Sequence, residues 1–113
     1  MTVIDQAVFD ELRQTTGAEF VGELVQTFLD DAPALIAALR AASASGDAAA
    51  FRRAAHSLKS NGTIFGASAL AGMARELEHR GLEGLGGEAA SRVDRTESEY
   101  MQVAQVLRGL VRG

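Results

Sequence analysis

Apolar residues recur at three- and four-residue intervals along almost the whole chain, and no convincing run alternates apolar with polar. That period puts one apolar stripe on each of a series of helices, and such stripes can be buried only by packing helix on helix. Asp5 can cap a short first helix to about Thr15, striped by Val8, Phe9 and Leu12, and Gly17 interrupts it. A second helix over about 18–31 carries Phe20, Val21, Leu24, Val25, Phe28 and Leu29, a wide apolar face. Pro33 suits the first turn of a third helix, which runs through Leu35, Ile36, Leu39 and Ala42 to Ser45. Gly46 ends it and Asp47 caps the next, over about 48–63.

Gly66 follows that helix, and Ser68 opens another that aligns Leu70, Met73, Ala74 and Leu77. In that stripe Met73 reads as core packing. The segment Gly81–Gly87, with four glycines, reads as a flexible loop. A last helix, about 88–111, turns Val93, Tyr100, Val103, Leu107 and Leu110 inward, with the Tyr100 hydroxyl at the core edge reaching solvent. Short connections between helices of this length predict an all-α protein, an antiparallel up-down four-helix bundle with a short additional N-terminal helix, formed by residues 1–113 as one domain.

The 113 residues suffice for a core without staples. The absence of Cys excludes disulfides and thiolate metal sites. No basic segment followed by an apolar run opens the chain, and no stretch is apolar for long enough to cross a membrane, so a soluble, cytoplasmic protein is expected. The initial Met argues for a free-standing protein. A net charge of −4 argues against general nucleic-acid affinity, which needs a concentrated basic surface.

Within the stretch 51–65, helical phase puts Phe51, Ala54, Ala55, Leu58 and Phe65 on one side and aims His56 almost directly away from them. Arg52 and Lys59 lie beside the imidazole, Arg53 and Ser60 flank it, and Thr63 lies nearly beneath it. Of the 11 basic residues Lys59 is the only Lys, a compact, mobile ammonium in a chain that otherwise uses Arg. An exposed imidazole among cations and small hydroxyls suits handling a phosphoryl group, although a solvated helix face has the same composition. His79 reads more simply as a cation near a helix end. Conventional catalytic sets are scarce: Glu76-x-x-His79 has di-iron spacing once, where a bundle site needs it twice.

The series Ala55-His56-Ser57-Leu58-Lys59-Ser60, then Phe65-Gly66-Ala67, Leu70 and Leu77-Glu78, resembles the histidine-containing phosphotransfer (HPt) domain of two-component phosphorelays. That family's pattern is His-x-Leu-Lys-Gly, then Gly-Ala, Leu and Leu-Glu. Ser60 stands where the family often has Gly, which keeps the position small but narrows a partner's approach. The resemblance implies a phosphocarrier rather than a conventional enzyme. His56 accepts a phosphoryl group from the aspartate of a response-regulator or hybrid-kinase receiver domain, attacking through Nε2, and passes it to another receiver. Lys59 offsets phosphoryl charge, helped by Arg52 or Arg53. Mg²⁺ is held by the receiver; for this chain the expectation is no metal and no cofactor.

Two rivals stand beside this reading. A kinase dimerisation domain also exposes a His on a bundle, but an acidic residue typically follows that His; here Ser57 does, and nucleotide-binding glycine motifs are missing. A helical adaptor that binds a signalling partner without carrying phosphate is the other. The lack of a second apolar face argues for a monomer. In the helix around His56 no carboxylate falls within one turn, so a long-lived phosphohistidine is expected.

Overall fold

The computed structural model describes residues 3–112, and Met1, on which the free-standing expectation rests, lies outside them. Five α-helices follow one another: α1 (Gln6–Thr16), α2 (Ala18–Ser45), α3 (Ala48–Ile64), α4 (Ser68–Leu85) and α5 (Ala89–Arg112), with a single 3-10 turn at Gly86–Glu88 before α5. No strand occurs among the described residues. Helix α2 packs on α3, α3 on α4, α4 on α5 and α5 back on α2, closing a ring of four long helices, while α1 lies against α2. No described helix is long and apolar enough to cross a membrane.

The predicted stripes supply the core. Phe9, Val21, Val25, Phe28, Ile36, Leu39, Phe51, Leu58, Phe65, Leu70, Leu77, Val93, Val103 and Leu107 are all buried. Phe65 and Tyr100 close on Phe28 from two sides, with ring centroids at 5.3 and 5.7 Å. Phe20 departs from expectation at 50% exposure. The i, i+1 pattern of α2 is wider than the strip that its neighbours cover, and Phe20 sits on its margin.

Helix ends follow local chemistry. The Asp5 carboxylate accepts from Ala7 N–H at 3.0 Å and Val8 N–H at 3.4 Å, and Asp47 accepts from Ala50 N–H at 3.0 Å. After α3, Gly66 takes φ +75°, and Ala67 N–H bonds back to Gly62 C=O at 2.9 Å. A side chain there is excluded twice over. The left-handed backbone disfavours any Cβ, and one at Gly66 would lie 2.9 Å from Val8 Cβ. The turn also anchors α1, since Asp5 N–H donates to Gly66 C=O at 2.8 Å.

Two boundaries differ from expectation. Segments 18–31 and 33–45 are one 28-residue helix, with Pro33 in its interior. Proline lacks the N–H that would bond the carbonyl four residues back, which is Leu29 C=O. The Tyr100 hydroxyl donates to that oxygen at 3.3 Å. The ring is only 7% exposed, so the hydroxyl faces α2 rather than solvent, and its burial pushes its pKa up. The glycine-rich segment 81–87 is largely helical as well: α4 continues to Leu85 across a break at Gly81 (φ 65°, ψ 179°).

Candidate functional site

Helix α3 presents its outer face through the consequence of one phase. Phe51, Ala55 and Leu58 are fully buried, which fixes the helix rotation and turns His56 outward, its side chain 59% exposed. Arg52, Arg53, Ser57, Ser60 and Thr63 share the exposed side. A recess of about 450 Å³ beside the imidazole is lined by Ala49, Arg52, Arg53, His56, Ser57 and Glu78. The Thr63 hydroxyl donates to Lys59 C=O at 2.9 Å within its own helix, so it is already engaged.

The residue that sequence reasoning missed is Glu78, from α4. Its Oε2 lies 2.7 Å from His56 Nδ1 and its Oε1 accepts from Lys59 Nζ at 2.7 Å. One carboxylate therefore ties the imidazole and the ammonium together. Helix α3 has no acid within a turn of His56, as expected, yet the neighbouring helix brings one into direct contact. The motif pair Leu77-Glu78 was the available signal: Leu77 is buried at 1% exposure, and its inward phase sets Glu78 on the flank of α4 that faces α3. The two helices approach closely, since a Cβ on Gly62 would lie 3.5 Å from Ala71 N and one on Gly81 3.7 Å from Arg52 Nη2.

Electrostatics fixes the protons. The hydrogen bond from Lys59, with the weaker contribution of the His56 contact, holds the Glu78 carboxyl below its ordinary range despite partial desolvation. An ionised carboxylate can only accept, so Nδ1 of the ring must carry the hydrogen. In the neutral imidazole Nε2 then keeps an unprotonated lone pair. A nitrogen with a free lone pair is chemically able to attack an electrophile, and the second ring nitrogen is held by an anion.

His79 lies in the last regular turn of α4 before Gly81. It is not isolated from the first histidine's surroundings: with Arg52, Lys59, Arg75 and Glu78 it lines a second recess on the other side of the Arg52–Glu78 wall.

Comparison with curated protein sequences gives no significant match. The family model described as Hpt domain matches residues 23–110. Among solved structures, the crystal structure of histidine-containing phosphotransfer protein B (HptB) from Pseudomonas aeruginosa PAO1 superposes with a TM-score of 0.89 and 30% sequence identity, over 97% of this chain and 95% of that one. With a match across most of its length and across the whole helical framework, this chain belongs to the Hpt domain family and has a histidine phosphotransfer role in phosphorelay signalling.

Proposed function

We propose that His56 is the phosphoryl acceptor and that the chain shuttles phosphate between the aspartates of two receiver domains, as a carrier rather than a conventional enzyme. The observation that carries this reading is the Nδ1 contact with Glu78, which leaves Nε2 free on the exposed side. In the forward step Nε2 attacks phosphorus in line; the Nε2–P bond forms as the P–O bond to the receiver aspartate breaks, returning that aspartate to a carboxylate. No proton has to leave: Nδ1–H stays bound to Glu78, and the carboxylate faces the positive ring of the phosphohistidine. Transfer to the next receiver reverses these steps. Lys59, 2.7 Å from Glu78, has two further ammonium hydrogens for the phosphoryl oxygens, and Arg52 and Arg53 border the recess in which the group would sit. Ser60 and Thr63 contribute a small, polar approach on the same face. Mg²⁺ belongs to the receiver in this scheme.

The reading includes the antiparallel up-and-down order of α2–α5. Its support is that contacts run in opposite directions along paired helices: Leu29 meets Tyr100 while Arg40 meets Asp94, and Lys59 meets Glu78 while Gly62 approaches Ala71. It also includes a monomer in the cytoplasm.

The test is incubation with receiver domains preloaded with phosphate, following acid-labile label on this chain. His56→Gln is expected to abolish uptake with helicity and melting nearly unchanged, whereas His79→Gln still takes up phosphate. Uptake retained by His56→Gln would move the site elsewhere, and a marked loss of its stability would contradict the exposed position. A wild type that binds a receiver and takes no phosphate would be the adaptor instead.

A further inference from the structure

We propose that Arg75, on the α4 side of the recess beyond Glu78, is a specificity-determining residue that pairs with a carboxylate beside the reacting aspartate of the docked receiver domain. The inference rests on the phosphotransfer reading of His56.

Charge distribution is the first argument. The chain has a net charge of −4, yet three cations without an acidic partner gather at one place. Arg40, Arg80 and Arg92 are paired with acids on α4, α5 or the turn between them, and Lys59 is paired with Glu78. Arg52, Arg53 and Arg75 form no ion pair among the described residues. All three border the two recesses that meet at the Arg52–Glu78 wall. Glu78 is the one acid lining either recess, and Lys59 already neutralises it. A local positive field on an acidic protein steers and orients an acidic partner.

Shape supplies the second argument. The recess of about 420 Å³ that holds Lys59, Arg75, Glu78 and His79 adjoins the imidazole without containing it. The imidazole lines the other recess, which neither Arg75 nor His79 borders. They are placed for a group next to the phosphoryl. The donor's chemistry provides one: a receiver that holds Mg²⁺ on an aspartyl phosphate must supply further oxygen ligands, typically carboxylates, so acids surround its reacting aspartate. The Arg75 guanidinium forms a planar fork that fits a carboxylate with two parallel hydrogen bonds.

The experiment compares Arg75→Glu with Arg95→Glu, the same charge change at another exposed arginine that forms no ion pair among the described residues and lies in the groove between α4 and α5. Whichever purified receiver, loaded with acetyl phosphate, transfers fastest to the wild type is the donor, and phosphoramidate is a donor without a protein surface. The measured quantity is the rate from the receiver divided by the rate from phosphoramidate. Arg75→Glu is expected to lower that ratio at least about fivefold at low ionic strength, with the deficit shrinking in high salt, as rim charges do. Arg75→Lys should recover part of the loss, and Arg95→Glu should stay near wild type. Equal ratios for Arg75→Glu and Arg95→Glu, or a deficit indifferent to salt, would overturn the docking assignment and leave the role of His56 intact. A wild type that gains phosphate from neither donor overturns both.

Discussion

At His56 the proposed chemistry turns on which ring nitrogen keeps its proton, and that is decided by a residue 22 positions away. Glu78 holds Nδ1 at 2.7 Å, so its replacement tests the mechanism more sharply than removing the imidazole does. In Glu78→Gln the amide oxygen can accept from Nδ1–H or the amide NH₂ can donate to an unprotonated Nδ1, so the tautomer preference is lost, and with it the anion opposite the phosphohistidine. Nitrogen NMR of His56 should show mixed tautomers, and transfer should slow by the equivalent of about 1.5–3 kcal/mol, the range for a charged hydrogen bond. The pH dependence has a definite sign. Because the folded Glu78 carboxyl titrates below its ordinary value of 4.5, its contribution to stability is complete above that value and is lost as pH falls through the depressed one. The melting-temperature advantage of wild type over Glu78→Gln should therefore be present at neutral pH and vanish in acid. An advantage that persisted undiminished far below pH 4.5 would contradict the contact.

Among the elements, α2 shows how a helix of 28 residues accommodates a proline that local rules would place at a helix start. The Leu29 carbonyl, deprived of its own helix donor, is met by Tyr100 from α5 at 3.3 Å. A double-mutant cycle exposes this dependence. Tyr100→Phe should cost about 1 kcal/mol in the wild-type background, the net worth of a single hydrogen bond. Pro33→Ala restores the backbone donor, so in that background Tyr100→Phe should cost clearly less. Equal costs in chemical denaturation of both backgrounds would show that the hydroxyl does not serve the proline. The Gly66 turn follows similar logic: the Gly66-Ala67 pair of the motif shapes a left-handed connection and seats α1, while the proposed site lies on α3 and α4.

For the molecule as a whole, four helices close around one apolar core while the reactive face stays outside it, so stability and activity should separate by mutation. Leu58 and Leu77 lie at 0% and 1% exposure on the two helices that carry His56 and Glu78. Leu58→Asp or Leu77→Asp would bury an unpaired charge, and each should unfold the domain or cost several kcal/mol, a large part of the ~5–15 kcal/mol available to a domain. Arg53→Asp, exposed and unpaired among the described residues, should change stability by less than about 0.5 kcal/mol. Thermal melts followed by circular dichroism check all three. A Leu58→Asp variant as stable as wild type would mean that α3 is rotated from the phase that exposes His56.

By itself the sequence determined what depends on residues within a turn or two of one another. Periodicity specified helices and the inward faces of α3, α4 and α5, the Asp and Gly caps marked their ends, and the phase of Phe51, Ala55 and Leu58 was enough to turn His56 outward. Tertiary structure decided everything that needed the register between helices. Whether Pro33 ends a helix or lies within one depends on a donor from α5, and Gly81 interrupts a helix where the glycine count alone suggested a loop. Phe20 shows the same limit, because an apolar face says which residues are available for burial and only the neighbours decide how much of it is covered. Glu78 is the most consequential case. It is 19 positions from Lys59 and 22 from His56, a separation to which helical periodicity is blind. Only the packing of α4 on α3 brings the carboxylate to Nδ1, because hydrogen bonds act over about 3 Å while helix axes can slide past one another by a full turn without altering either helix's own pattern.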